Sequence, residues 1–246
     1  MSDPLSGVWS AAVTPLHDDL TVNLDAMVAH HKWLLSNGCD GVAVLGTTGE
    51  GNSFSVKERL DVIAAAASSG ITKGQLLIGT GCCAPTDTIE LTQAALDAGL
   101  TQVLMLPPFY YKGVSEDALF ASFDHIIQKL ADDRLRIVVY DFPLMTGLDI
   151  SVDLLVRLNK AYPNTVVGVK DSSGNWPAMQ AVIQAIPGFR MFAGTEQYLL
   201  ANLQEGGAGC ITATGNATSH LCQLVHAAFL AGDTSGAEAA QEVVTA

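Results

Sequence analysis

Lys170 stands at the end of Val166-Val167-Gly168-Val169, an apolar run with the pattern of a fully buried strand. An ammonium at the mouth of such a strand either reaches water along its stem or is kept for chemistry, because desolvating it costs several kcal/mol. The chemistry open to it is Schiff-base formation: burial disfavours the charged form, and a neutral amine can attack a ketone. Other reactive side chains fall at the ends of apolar runs in the same way. Thr47 and Thr48 follow the run 41–45, Tyr110 and Tyr111 follow 102–106 through two prolines, Tyr140 closes 136–140, and Thr195 and Glu196 follow 190–193. Hydroxyls and one amine dominate this set, with no histidine and no grouping of metal ligands, so neither a metal nor an organic cofactor is expected. Each residue also has a plainer reading. Gly46-Thr47-Thr48-Gly49 equally suits a simple strand-to-helix turn, Tyr140 an amphipathic core position, and Glu196 the acidic first turn of a helix.

The elements that would position these groups alternate along the chain. Apolar runs at 8–13, 41–45, 76–80, 102–106, 136–140, 166–170, 190–193 and 208–213 predict strands. Helical patterns at 23–37, 53–69, 86–98, from 115 onward, 152–158, 178–186, 197–204 and 219–231 separate or follow them, with Asn23 and Ser115 as N-caps. Eight strands alternating with eight helices through short connections predict an α/β fold, a closed (β/α)8 TIM barrel over residues 1–231. No G-x-G-x-x-G follows the first strand, which argues against an open dinucleotide-binding sheet. In a barrel the reacting groups gather at the carboxyl ends of the strands, so the residues above become one candidate site. Gly206-Gly207-Ala208-Gly209 could suggest a phosphate-binding barrel, but it precedes the eighth strand and so falls on the opposite face.

Composition narrows the function classes. The 246 residues suit one such barrel, whose usual size is about 250. With 49% hydrophobic and 15% charged residues the chain can bury a large core and is too apolar for disorder. A formal charge of −13 repels nucleic acid and anionic lipid, so an anionic substrate must meet locally placed donors. No window predicts a membrane span and Met1-Ser2-Asp3-Pro4 opens no signal peptide, which leads to a cytoplasmic expectation. Cys39, Cys82, Cys83, Cys210 and Cys222 form no C-x-x-C pair and are expected as reduced, small core residues.

Gly46-Thr47-Thr48-Gly49-Glu50, Pro108-Phe109-Tyr110-Tyr111, Tyr140-Asp141-Phe142-Pro143 and Gly168-Val169-Lys170-Asp171 together resemble the dihydrodipicolinate synthase and N-acetylneuraminate lyase superfamily of pyruvate-dependent class I aldolases. The resemblance keeps the same order from about residue 7 to residue 231. It implies that Lys170 forms the imine with pyruvate or another 2-oxo acid and that Tyr140 relays protons. It further implies that Thr47 and Thr48 bind the substrate carboxylate, with Thr48 bonded to Tyr140 and directed toward Tyr111. Tyr111 resembles the tyrosine that enters a neighbouring subunit's site, implying a homo-oligomer whose usual form is a dimer of dimers, and Gly194 and Ile211 match backbone positions around the imine.

Two features depart from that pattern. Where the synthases carry an arginine that grips the carboxylate of aspartate semialdehyde, just before Thr146-Gly147, this chain has Met145, a neutral thioether in place of a bidentate guanidinium. The expected reaction is therefore aldol cleavage or formation of a 2-oxo-3-deoxy sugar acid or related hydroxy-oxo acid, with Glu196 and Thr195 available to sugar hydroxyls. Condensation of pyruvate with the semialdehyde, as in dihydrodipicolinate synthase, is the alternative. A non-catalytic barrel that only binds 2-oxo acids is a third, and the joint presence of Lys170, Tyr140, Thr47 and Thr48 argues against it. The second departure is residues 232–246, expected to begin a C-terminal helical region that is short or truncated beside the further helices of the family.

Overall fold

The structure is a computed structural model that describes residues 5–245. Eight parallel strands pair in sequence order and close into a barrel, β1 (Gly7–Ala11) joining β8 (Gly209–Thr212) through Val8↔Cys210 and Trp9↔Ile211. Between them run β2 (Gly41–Val44), β3 (Leu76–Gly79), β4 (Gln102–Met105), β5 (Arg136–Asp141), β6 (Val166–Asp171) and β7 (Arg190–Ala193). The strands are buried on both faces, which is why they are continuous apolar runs rather than alternating ones. Alternation decides only which core each side chain joins. Trp9, Ala11, Ala43, Leu77, Leu104, Val138, Tyr140, Phe192 and Ile211 fill the lumen. Their neighbours pack outward against the helices, Val42, Val44, Leu76 and Ile78 on one side and Ile137, Val139, Val169 and Met191 on the other.

The outer layer contains α1 (Leu24–Ser36), α2 (Val56–Ser68), α3 (Pro85–Asp97), α4 (Glu116–Leu130), α6 (Val152–Ala161), α7 (Trp176–Ala185), α8 (Leu199–Gln204) and α9 (Gly215–Leu230). Asn23 and Ser115 cap α1 and α4 by accepting from Ala26 and Ala118 N–H, as their positions predict. Several boundaries differ from expectation for local reasons. Helix α2 starts only after a 3-10 turn at Gly51–Ser53, because Ser55 and Glu58 form a capping box. β1 ends at Ala11 because Asn216 takes over the hydrogen bonding: its Nδ2 donates to Ala11 O at 2.8 Å and its Oδ1 accepts from Val13 N at 3.1 Å. The segment expected as a helix from 197 is divided into a 3-10 turn (Glu196–Tyr198) and α8. Unanticipated is α5 (Pro143–Thr146), one turn that Pro143 starts and that Gly147, at φ 63°, ends.

All five cysteines are free thiols. Four are buried as expected, but Cys83 is exposed. It lies past the end of β3 on the loop to α3, where Cys82 takes the inward position beneath Arg59 Nη1. Helix α10 (Thr234–Thr245) folds back against α9. Its Gln241 bridges the β7–α8 connection, donating to Glu196 O at 3.1 Å and accepting from Leu200 N at 2.9 Å. Among the described residues no helix is long and apolar enough to cross a membrane.

Candidate active site

Because the strands are parallel, the residues next to their carboxyl ends share one mouth. A cavity of about 370 Å³ opens there, lined by Thr47 and Thr48 after β2, Tyr140, Phe142 and Met145 at and after β5, Lys170, Ser172, Ser173 and Gly174 of β6 and its loop, Gly194 and Thr195 after β7, and Ala213 after β8. Lys170 is the next-to-last residue of β6, not the last. Its register with Tyr140 on β5 and Phe192 on β7 turns it into the lumen, only 4% exposed, while Asp171 turns outward. Gly168 permits the strand to seat there: a Cβ at that position would lie 2.5 Å from Arg190 O on β7.

The Lys170 Nζ sits 4.4 Å from the centroid of the Tyr140 ring. The Tyr140 ring is fixed on its own strand side by stacking on Phe142, with centroids 5.7 Å apart and planes 25° from parallel. Its hydroxyl lies 3.4 Å from Thr47 Oγ1. The expected partner was Thr48; the turn after β2 instead brings Thr47 to the phenol and leaves Thr48 on the cavity wall.

That turn is unusual in its backbone. Leu45 and Glu50, which bracket Gly46-Thr47-Thr48-Gly49, both adopt left-handed conformations, with φ 60° and 52°. Such strain in non-glycine residues persists only where the surroundings fix it. Here the Leu45 carbonyl is wedged against two glycines: a Cβ on Gly51 would lie 2.2 Å from Leu45 O, and one on Gly79 of β3 would lie 2.4 Å from it. Glu50 N–H closes the turn on Thr47 O at 3.0 Å, and the Thr14 hydroxyl donates to Gly49 O at 2.7 Å. Among the described residues neither Thr47 N–H nor Thr48 N–H donates to another protein group. Two backbone donors beside the lysine are thus free to receive an anion.

Not every expected residue reaches this cavity. Thr47, Thr48, Tyr140, Lys170 and Gly194 line it. Ile211 lies deeper, in the lumen core with Trp9 and Phe192. The Glu196 carboxylate turns aside to accept a hydrogen bond from the Thr212 hydroxyl. Tyr111 is 77% exposed and lines a separate apolar groove with Pro108, Tyr110, Val114 and Leu119. Conversely, Ser172 and Ser173 line the wall, and strand position could have marked them, since they are the first residues past the end of β6. Lys112 was not singled out either. It arrives from the β4–α4 loop and donates to the carbonyls of Phe109 and Thr146, which sets its ammonium against Thr146 and Gly147, the two residues that follow Met145. Among the described residues no group of three or more His, Cys, Asp or Glu is arranged to hold a metal ion.

The profile of the dihydrodipicolinate synthetase family matches residues 4–246. This chain belongs to that family. An uncharacterized DapA-like lyase of Chloroflexus aurantiacus is 36% identical over 97% of this chain and 80% of its own length. The 4-hydroxy-tetrahydrodipicolinate synthase of Rhizobium meliloti is 33% identical over 92% of this chain and 76% of its own. Among solved structures, YagE, a prophage protein of the same family from E. coli K12 crystallised with pyruvate, superposes with a TM-score of 0.91 at 27% identity, covering 98% of this chain and 80% of YagE. Members of the dihydrodipicolinate synthetase family are class I aldolases, carbon–carbon lyases that form a Schiff base between a lysine and pyruvate, and the chain is a lyase of this kind.

Proposed function

We propose that Lys170 is the imine-forming residue and that the enzyme cleaves or forms a 2-oxo-3-deoxy sugar acid or a related hydroxy-oxo acid. The observation that carries this reading is the lining of the cavity: Lys170 is its single cation, the wall beyond it offers the Ser172, Ser173 and Thr195 hydroxyls, and Met145 stands at the rim. The carboxylate of the 2-oxo acid binds the free Thr47 and Thr48 N–H groups and hydroxyls. Lys170 Nζ adds to the ketone, the carbinolamine loses water, and the protonated imine draws electrons from the breaking carbon–carbon bond to leave an enamine. The hydroxyl on the carbon that leaves as an aldehyde gives its proton to the Tyr140 oxygen as the phenol's own proton passes to Thr47. Gly194 keeps the approach to the imine open, since any side chain there would strike Ser172 Oγ at 2.2 Å. Ile211 packs beneath the site, and Glu196 orients the Thr212 hydroxyl rather than meeting substrate directly.

Dihydrodipicolinate synthesis is the second reading, and Lys112 favours it. Its ammonium, held on Thr146 O, puts a cation in the segment where a guanidinium is missing, and several relatives are named 4-hydroxy-tetrahydrodipicolinate synthases. Two assays separate these. Borohydride reduction with pyruvate followed by peptide mapping is expected to put the adduct on Lys170; an adduct elsewhere, or none, overturns the assignment. Pyruvate release from 2-oxo-3-deoxy acids, N-acetylneuraminate and 4-hydroxy-2-oxoglutarate is then set beside condensation with aspartate semialdehyde. If only condensation proceeds, with kcat/KM above about 10⁴ M⁻¹s⁻¹, and Lys112→Met abolishes it, the sugar-acid reading is wrong.

The active unit in this reading is at least a homodimer within a dimer of dimers. Tyr110 and Tyr111, 72% and 77% exposed and packed edge to face at 5.2 Å, flank an apolar groove suited to a second copy. Sedimentation that gives a fully active monomer contradicts it.

A further inference from the structure

The catalytic faces of β5 and β6 have a reverse side. The register that sets Tyr140 opposite Lys170 sets Asp141 opposite Asp171 one residue later, on the outer face of the barrel. Both carboxyls are nearly enclosed, 7% and 5% exposed. They face a cavity of about 380 Å³ between the strands and helices α6 and α7. The groups that face them there are Asp149, Ser151, Ser173 and Asn175 from the loops, with Val169 from β6, Val152 and Leu155 from α6, and Ala178 and Val182 from α7. A third carboxylate is therefore the sole additional charge, and no cation lines the space.

The two acids are supported unequally. Asp171 Oδ1 accepts from Ser173 N at 2.7 Å and from Ser173 Oγ at 2.5 Å. Asp141 Oδ1 receives one long bond, from Ile150 N at 3.4 Å. Burial, and then the charge of Asp171, pushes the Asp141 carboxyl up to about 7, and burial also raises Asp171 against the pull of its Ser173 bonds. Of the two, Asp141 is therefore the carboxyl whose protonated form is the more favoured. The backbones of the same residues hold the site: Asp141 O accepts from Ser172 N at 2.8 Å, and Asp171 O from Gly194 N at 2.7 Å. Tyr140, Lys170, Ser172 and Gly194 are thus all within one peptide link or hydrogen bond of the pair.

We propose that Asp141 and Asp171 form a proton-sharing pair that sets the spacing of the β5 and β6 ends, so that Asp141 is a positioning residue acting through Tyr140 and Lys170. With the proton in place the two strand ends carry one negative charge. When it leaves, two carboxylates face each other in a crevice that water screens weakly, and the strand ends are forced apart. The consequence is a pH dependence of catalysis that belongs to neither reacting group.

The test rests on imine formation with pyruvate, and uses exchange of the pyruvate methyl protons with deuterated solvent, a readout of the enamine that needs no knowledge of the aldehyde. Rates are followed by NMR from pH 5.5 to 9 for the wild type, Asp141→Asn and Asp141→Ala. The ratio of the Asp141→Asn rate to the wild-type rate cancels every group the two share. It is expected to rise about tenfold or more as pH passes through about 7, because the amide keeps the uncharged shape. Asp141→Ala, which loses that shape, is expected to be slow throughout. A ratio that stays flat with pH overturns the proposal, as does an alanine variant that matches the asparagine one. Borohydride trapping on the wild type distinguishes the two levels: no pyruvyl adduct at all means that the Schiff-base reading has failed, whereas an adduct with a flat ratio means that only the carboxyl pair has.

Discussion

Gly79→Ala is expected to damage a site that it does not touch. The added Cβ would stand 2.4 Å from Leu45 O and 2.7 Å from Leu45 C, both backbone atoms, where ordinary contact begins at 3.4 Å. Something must therefore move by about 1 Å, the difference between 3.4 and 2.4. Leu45 cannot yield easily, since it is 4% exposed, left-handed, and pressed from the other side by Gly51. Overpacking of this kind costs about 1–3 kcal/mol, which in a domain of this size lowers Tm by about 2–12 °C. Thr47 is two residues beyond Leu45, and displacement of a positioning group by about 1 Å can cost up to about a hundredfold. Half-saturation by pyruvate, measured from the fraction trapped with borohydride, is therefore expected to rise by about tenfold to a hundredfold. Gly46→Ala provides the contrast. Nothing lies within 4 Å of its Cβ position, so its Tm should stay within about 2 °C of wild type. If Gly79→Ala keeps both the wild-type Tm and the wild-type pyruvate half-saturation, the Leu45 carbonyl is not the support assigned to it.

Lys170→Met should abolish the borohydride adduct while far-UV circular dichroism stays native, because one lumen side chain is exchanged for another of similar length. Tyr140→Phe keeps the stack on Phe142 but removes the hydroxyl near Thr47, so a pyruvyl adduct should still form while turnover falls by about 10²–10⁴. His31 governs an acid limb of stability. Burial, and secondarily His30, lowers it from 6.5 to about 4. Its folded value lies below its unfolded one, so the unfolded chain binds the proton first; its contribution is complete above pH 6.5 and is lost as pH falls toward 4. The loss amounts to about 3 kcal/mol. His31→Met should flatten Tm between pH 6.5 and 4.5, and an unchanged acid slope would refute the assignment.

The barrel was legible because its strands are continuous apolar runs and their order needs no tertiary information beyond right-handed crossovers. The same rule collects Thr47, Thr48, Tyr140, Lys170 and Thr195 from the sequence, since the end of each run marks the mouth, whereas Gly194 comes only from the family resemblance. What stayed hidden depends on contacts between distant segments. The choice of Thr47 over Thr48 for the Tyr140 hydroxyl follows from left-handed Leu45, and that conformation follows from Gly79 on another strand. Lys112 reaches the segment after β5 by bonding Thr146 O, 34 residues away, which no local pattern announces. Glu196 was drawn from the cavity by Thr212 on the next strand, and Cys83 was left exposed by a loop whose course the hydropathy of its neighbours does not record.

Closure of the sheet has a consequence for how the protein is made. Within the barrel, the strand made earliest, β1, has as one of its two partners the strand made latest, β8, nearly the whole domain later. Until Thr212 has emerged, a nascent chain that has paired its earlier strands still offers unpaired backbone at two edges, along β1 and along the latest strand. At about 5–20 residues per second that interval lasts about ten seconds or more. Even a closed barrel then awaits Gln241, whose side chain fastens the backbone at Glu196 and Leu200. A rim residue such as Thr195, made before Gln241, is therefore among the last parts to be secured. A factor that shields open strand edges during synthesis would act on this chain for most of the time it spends on the ribosome.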